Sequence, residues 1–225
     1  MTLEFLARSH SARAPSALPA TTLDAQALSP NAHRTISALI GEIDRLRAEA
    51  DRLHRQLADL EAIADADPLA PTLNRRAFVR EMGRIMAYAE RYAAPASLLF
   101  VDMNGFKAIN DVYGHALGDQ ALIHVAQLLK RHVRDSDLVG RIGGDEFAIV
   151  LARSDGASAR AKARGLAELI GQDRLQTDQG QIRLSATIGA YDFRGGESAE
   201  AALARADQDM YRRKRANAEA PVGSA

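Results

Sequence analysis

The sequence predicts an α/β or α+β domain of about 150 residues behind a long amphipathic helix. Three observations carry this reading. Apolar residues recur in heptads from Ile36 to Ala64. Beyond Asp67-Pro68, short apolar runs alternate with segments of helical period. Gly143-Gly144 separates two of those runs, as the turn of a hairpin would.

The elements follow in order. Residues 1–32 are rich in Ala, Ser, Thr and Pro and lack a sustained apolar period, so they read as a disordered tail, with a short partner-binding or targeting segment as the alternative. Residues 33–66 form a coiled-coil stalk. Ile36, Ile43, Ala50, Leu57 and Ala64 take the a positions, and Leu39, Leu46, Leu53 and Leu60 the d positions. Isoleucine at a with leucine at d favours a parallel two-stranded coil. The competing reading is a single helix folded onto the next domain. Pro68 stops the helix, because proline disfavours helical geometry in the residue before it.

The domain proper covers 67–217, and 218–225 reads as a disordered C-terminus. Helices are expected over Arg75–Tyr92, Leu117–Val133, Ala157–Ile170 and Ala199–Arg215. Strands are expected over Ser97–Met103, Leu138–Ile142, Phe147–Leu151 and Ile182–Phe193. The stretch from Lys107 to Asp119, dense in polar residues and glycine, reads as a loop.

Composition narrows the chemistry. The 225 residues carry 29 basic and 29 acidic side chains, so the net charge is zero. A generic nucleic-acid binder needs a basic excess and is excluded. The absence of cysteine excludes disulfides, thiolate metal sites and cysteine nucleophiles. No apolar run reaches the length of a membrane span and Met1–Leu23 shows no continuous hydrophobic stretch of a secretory signal, so a soluble, cytoplasmic protein is expected.

Three carboxylates stand out. Asp102 ends the buried run Phe100-Val101-Asp102-Met103, where an unpaired charge is costly. Asp145-Glu146 follows Gly143-Gly144 at the hairpin tip. Each has a plainer reading, Asp102 as a helix cap and the glycines as ordinary turn chemistry. Together, Asp102 and Asp145 suit Mg²⁺, which sits between one or two carboxylates and substrate phosphates. The segment holding Lys107, Asn110, Asp111, Gly114, His115, Gly118 and Asp119 gathers polar residues and glycine, and its Asn and Asp side chains could offer donors and acceptors to a nucleobase edge.

These residues fall in motifs. Arg141–Phe147 (RIGGDEF) resembles the signature of the GGDEF family of diguanylate cyclases. Val101–Asp119 (VDMNGFKAINDVYGHALGD) resembles that family's metal- and guanine-binding segment. Asn74–Phe78 (NRRAF) resembles its opening motif, and SATIGA and RADQDMY, the latter Arg205–Tyr211, its closing ones. The resemblance covers roughly Asp67 to Met210.

It implies a polymerase-palm, ferredoxin-like domain with a mainly antiparallel central sheet and helices on one face. It implies that two GTP are condensed to cyclic di-GMP and pyrophosphate by two Mg²⁺ per active site, or Mn²⁺, across a homodimer that the stalk holds together. Asp102, Asp145 and the Met103 carbonyl would hold metal, and Glu146 would bind the second metal or help deprotonate the attacking 3′-hydroxyl. Asn110 and Asp119 would read the guanine edge, and His115 would be a further substrate-binding residue, with a structural role as its alternative. Lys107 and Lys214 would meet the triphosphate, and Gly143 and Gly144 the α-phosphate. Catalysis would fall to Asp145, Glu146 and Lys214.

Arg134 and Asp137 stand at the spacing of the family's RxxD product-inhibition site, with Arg164 as a third contributor; the alternative is a weak surface ion pair. Two departures are visible. Pro71 replaces a flexible glycine ahead of Asn74, and Asn217 and Ala218 stand where the family has Gly-Arg. The second departure keeps open another reading, an inactive GGDEF domain that binds GTP or cyclic di-GMP as an interaction module. No sensor is recognisable, so the input falls to a protein partner, to localisation or to product feedback.

Overall fold

The computed structural model describes residues 29–178, 180–193 and 195–219. The expected tail lies outside them up to Leu28, and the expected disordered C-terminus lies outside them from Ala220. Pro30–Ala32 and Ala218–Glu219, counted with those tails, are helical instead. The start has a local cause. Ser29 Oγ accepts from the Ala32 amide, and Pro30 is pre-set for the first helical position.

Contacts divide the chain between Ile63 and Ala64. The first unit is helix α1, Pro30–Asp65, of 36 residues. At about 1.5 Å per residue it is roughly 54 Å long. None of its residues is buried. Its apolar stripe faces solvent, with Leu46 56% and Leu53 51% exposed. Glu42–Arg45 and Glu49–Arg52 pair on its surface one turn apart.

The second unit contains α2 (Arg75–Tyr92), β1 (Ala96–Met103), α3 (Phe106–Tyr113), α4 (His115–Arg131), β2 (Leu138–Arg141) and β3 (Glu146–Ala152). It continues with α5 (Gly156–Gln172), β4 (Arg174–Thr177), β5 (Gly180–Arg183), β6 (Ala186–Asp192) and α6 (Ala199–Glu219). The main sheet has the order β2-β3-β1-β6, with every adjacent pair antiparallel. β1 and β2 are therefore parallel with β3 between them, and β3 and β6 are parallel with β1 between them. Two such split crossovers, each right-handed by the usual rule, send their helices to the same face.

That face packs α4 and α5 over Leu99, Val101, Phe147, Ile149 and Ile188. The expectation of helices on one face holds only for these crossover helices. α2 and α6 cover the other face, over Leu98, Phe100, Ala148 and Val150. A sheet covered on both faces wants continuous apolar strands, which is why SLLFVDM and FAIVLA do not alternate.

Two local readings are corrected. The expected loop from Lys107 to Asp119 is α3 and the start of α4. Its helical spacing runs through Phe106, Ile109, Val112 and Tyr113, and Phe106 and Ile109 pack against the core. The break between the two helices is Gly114, at φ +85°. The single strand expected over Ile182–Phe193 is split at Leu184-Ser185. β5 pairs with the unforeseen β4 in a two-stranded hairpin, and only β6 joins the main sheet. No helix among the described residues is long and apolar enough to cross a membrane.

Helix α6 reaches the sheet through Gly189. A β-carbon there would stand 2.6 Å from the Met210 amide nitrogen and 2.9 Å from the Ala206 carbonyl oxygen, both backbone atoms. Gly189→Ala is expected to push α6 off β6 and cost about 1–3 kcal/mol. Urea denaturation checks this; an unchanged midpoint would show that α6 can shift freely.

Candidate functional site

The candidate residues gather at one end of the main sheet, where β1 stops and β3 begins. Asp102 is directly opposite Glu146 on β3 and Thr187 on β6. In each strand the side chain two residues away packs against α2 and α6, or is Gly189 beneath α6. Strand periodicity therefore puts Glu146, Asp102 and Thr187 in one row on the α6 face.

Asp102 is only 13% exposed and needs a counter-charge. Lys214, on the last turns of α6, supplies it, with Nζ 2.5 Å from Asp102 Oδ1. The residue expected at the triphosphate thus occupies the place of a cation on the carboxylate expected to hold metal. Among the described residues, no three His, Asp or Glu side chains converge closely enough to hold an ion alone. Any ion bound by these carboxylates would have to complete its shell with other ligands, such as water and phosphate. The Asp145 carbonyl accepts from the Met103 amide at 3.2 Å, which ties the two carboxylate-bearing segments together.

The turn between β2 and β3 is held by two arginines. Arg141 donates to the Gly144 carbonyl through Nε at 3.1 Å and NH2 at 2.6 Å. Its NH1 reaches Asp67 at 3.3 Å. Arg75, the first residue of α2, donates to the Ile142 carbonyl at 3.3 Å. Gly143 and Gly144 both have negative φ, so neither serves as a left-handed turn residue. A β-carbon on Gly143 would meet the Glu146 carboxylate, whereas Gly144 is open and exposed. Open backbone is the feature an approaching ligand requires.

Glu146 points into a small cleft lined by Arg75, Phe100, Ile142, Leu203 and Asp207. Burial raises its pKa above the usual carboxylate value; Asp207, Asp102 and Asp145 raise it further, and Arg75 opposes them. A much larger cavity, about 710 Å³, lies at the far end of β1 beside Ala96, Ser97 and Asp192, and no candidate residue lines it.

The α3–α4 elbow brings Asn110 against Gly118, where a β-carbon would collide with the amide. Asn110 thereby lies next to the helical turn that carries the exposed Asp119. Lys107 is exposed on α3, and His115 is exposed as the first residue of α4. The side chains of Asn217 and Ala218 lie outside the described residues.

At the RxxD segment, Asp137 is committed to backbone. Oδ2 accepts from the Arg134 amide at 2.9 Å and Oδ1 from the Ala152 amide at 3.0 Å. It makes no ion pair with the Arg134 guanidinium, so the weak surface pair is not formed. Arg134 and Arg164 are both exposed, and no hydrogen bond or ion pair joins them.

Sequence reasoning missed Arg75, Asp67, Thr187 and Asp207, whose partners are distant in the chain. Arg141 sat inside the recognised motif, but nothing in the sequence showed that it clamps the turn. Asn104 was within reach: two residues after Asp102, it shares that strand face by period alone.

A family model described as "Diguanylate cyclase, GGDEF domain" matches residues 64–220. The chain is 34% identical over 185 residues to the bifunctional diguanylate cyclase/cyclic di-GMP phosphodiesterase MucR of Pseudomonas aeruginosa, covering 80% of this chain and 27% of that protein. It is 38% identical over 150 residues to the diguanylate cyclase DosC of Escherichia coli, covering 66% of this chain and 33% of that protein. The chain thus spans about a third or less of these relatives' lengths. Among solved structures, it is similar to the coiled coil and GGDEF domain of DgcB from Caulobacter crescentus, in complex with c-di-GMP. The TM-score is 0.69 at 27% identity, over 80% of this chain and 95% of that one.

The raised pKa of Glu146 carries a sign. The folded state holds this proton more tightly than the unfolded chain does. The ionised side chain therefore costs stability above the folded pKa, and that cost is gone below the ordinary value of 4.5. In EDTA, Glu146→Gln is expected to stabilise the protein at pH 8, with the gain vanishing as the pH falls to 4.5. Denaturant midpoints at the two pH values check this; a gain of the same size at both would contradict it.

Proposed function

The chain belongs to the diguanylate cyclase, GGDEF domain family, and on that premise we propose that it condenses two GTP into cyclic di-GMP with release of two pyrophosphates. The observation that supports this most is the gathering of Asp102, Asp145 and Glu146 at the sheet end from which the Asn110–Asp119 elbow departs.

In this reading Asp102, Asp145 and the Met103 carbonyl hold Mg²⁺, or Mn²⁺, two ions per active site. The ions, when bound, neutralise the triphosphate and favour ionisation of the attacking hydroxyl. Glu146 either contributes to the second ion or accepts the 3′-hydroxyl proton. The 3′-oxygen attacks the α-phosphorus of the second GTP, and the bond to pyrophosphate breaks; the same exchange in the other direction closes the ring. Asn110 and Asp119 hold the guanine edge, with His115 beside them. Lys107 and Lys214 neutralise the phosphates, and the open Gly144 with Gly143 lets the α-phosphate lie against backbone. Catalysis falls to Asp145, Glu146 and Lys214.

Each domain holds one GTP, so two must face each other. The exposed Leu and Ile stripe of α1 suits a parallel two-stranded coil, which raises the effective concentration of one half-site at the other. Arg134 and Arg164 have free guanidinium groups suited to phosphate or guanine, with Asp137 fixing the loop, and serve product feedback. The protein works in the cytoplasm, without nucleic acid, its input coming from a regulatory partner or from feedback.

One feature favours a second reading, a module that binds GTP or cyclic di-GMP without turnover: Ala218 stands where the family carries a phosphate-binding arginine.

Incubation of the purified chain with GTP and Mg²⁺ is expected to yield cyclic di-GMP by mass spectrometry, and Asp145→Ala to yield none. A wild-type dimer that binds GTP yet forms no product would favour the module. Leu46→Glu with Leu53→Glu is expected to give monomers by light scattering, with at least 10-fold less product at micromolar protein. Full activity from a proven monomer would sink the stalk's role.

A further inference from the structure

We infer that Asn104 is a positioning residue, one that aims the Met103 carbonyl and the Asp102 carboxylate through a hydrogen-bonded tether to β6. This deepens the proposed function and rests on it.

The paired part of β1 ends at Met103, opposite Ala186. Two residues on, Gly105 turns the chain into α3 at φ +67°. A strand end next to such a reversal frays unless something holds it. On the β3 side the Asp145 carbonyl takes the Met103 amide. On the β6 side the ladder is over, and Asn104 extends it by three contacts. Its backbone amide donates to the Ser185 carbonyl at 2.8 Å. Its Oδ1 accepts from the Thr187 hydroxyl at 2.9 Å. Its Nδ2 donates to the Ser185 hydroxyl at 3.4 Å.

Thr187 is buried and lies directly opposite Asp102. The chain of contacts is therefore a closed ring: Asp102 beside Thr187, Thr187 to Asn104, and Asn104 back along the strand to Asp102. The Met103 carbonyl shares its peptide plane with the Asn104 amide, so the bond from that amide to Ser185 aims the carbonyl away from β6, and the side-chain contacts of Asn104 hold that plane in place. Residues that orient ligands without touching the ion are worth about 10–100-fold in metal affinity. The amide also has a reason over a carboxylate. Asp at 104 could accept from both hydroxyls, but it would add charge to an end that already holds Asp102, Asp145 and Glu146.

The test titrates Mn²⁺ by electron paramagnetic resonance in the presence of 3′-deoxy-GTP, which cannot be cyclised. Asn104→Ala is expected to weaken Mn²⁺ about 10-fold. Asn104→Asp should keep the tether and bind Mn²⁺ at least as well as wild type. Thr187→Val should match Asn104→Ala, the double variant should be no worse than either, and Thr187→Ser should match wild type. An unchanged Mn²⁺ dissociation constant in Asn104→Ala overturns the inference, whatever happens to its melting temperature. If Asn104→Ala does not fold, equal Mn²⁺ binding by Thr187→Val and Thr187→Ser overturns it. Wild type that binds no Mn²⁺ with the nucleotide sinks the inference together with the functional reading beneath it, a failure recognisable because every variant then looks alike.

Discussion

A carboxylate at the end of a strand buried on both faces must have a cation, and the domain is arranged around that requirement. Leu98, Leu99, Phe100 and Val101 leave β1 no solvent side. Asp102 continues this strand one residue further and is itself largely buried. α6 runs along one face to bring Lys214 to it. α6 can do so because it lies directly on Gly189, with no side chain between helix and strand. The counter-charge, the close helix packing and the row Glu146–Asp102–Thr187 are thus one solution to a single electrostatic problem. An ammonium on a flexible stem is also an exchangeable partner, unlike a second carboxylate's fixed arginine, since Lys214 itself remains 43% exposed.

Much of this was legible from local chemistry. The helix over Arg75–Tyr92 is marked by Asn74, whose Oδ1 caps the Ala77 amide, and by an apolar face of Phe78, Met82 and Met86. The hairpin around Gly143-Gly144 and the runs beside it follow from turn residues between apolar stretches. What stayed hidden was of two kinds. α3 does carry a helical spacing, Phe106, Ile109, Val112 and Tyr113, but it is only eight residues long and packs just Phe106 and Ile109 on the core, leaving Val112 and Tyr113 exposed. Partnerships across the chain leave no local trace: nothing near Arg75 announces that it will hold the Ile142 carbonyl. Asp102 could be singled out because a charge in an apolar run is conspicuous, and Asp145-Glu146 because they follow two glycines at a turn. Thr187 could not, because a threonine in a strand is ordinary.

The glycines divide by task in a way that letters alone do not convey. Gly105 and Gly114 turn backbone at positive φ and so shape the elbow between strand and helices. Gly118 makes room for a side chain, that of Asn110. Gly144 does neither within the chain and leaves its surface bare. Of the glycines near the site, it is the one whose lack of a side chain has no internal explanation, which supports reading the turn as a docking surface for something outside the chain.

Arg141 binds the Gly144 carbonyl with one part of its guanidinium and Asp67 with another, while Asp67 also caps the Leu69 and Ala70 amides. The segment that leads into the domain is therefore a structural wall of the signature turn. The portable piece of this architecture has its border upstream of the first domain helix. Any larger protein that reuses the domain inherits the lead-in as part of the site, and whatever pulls on that segment pulls on the turn.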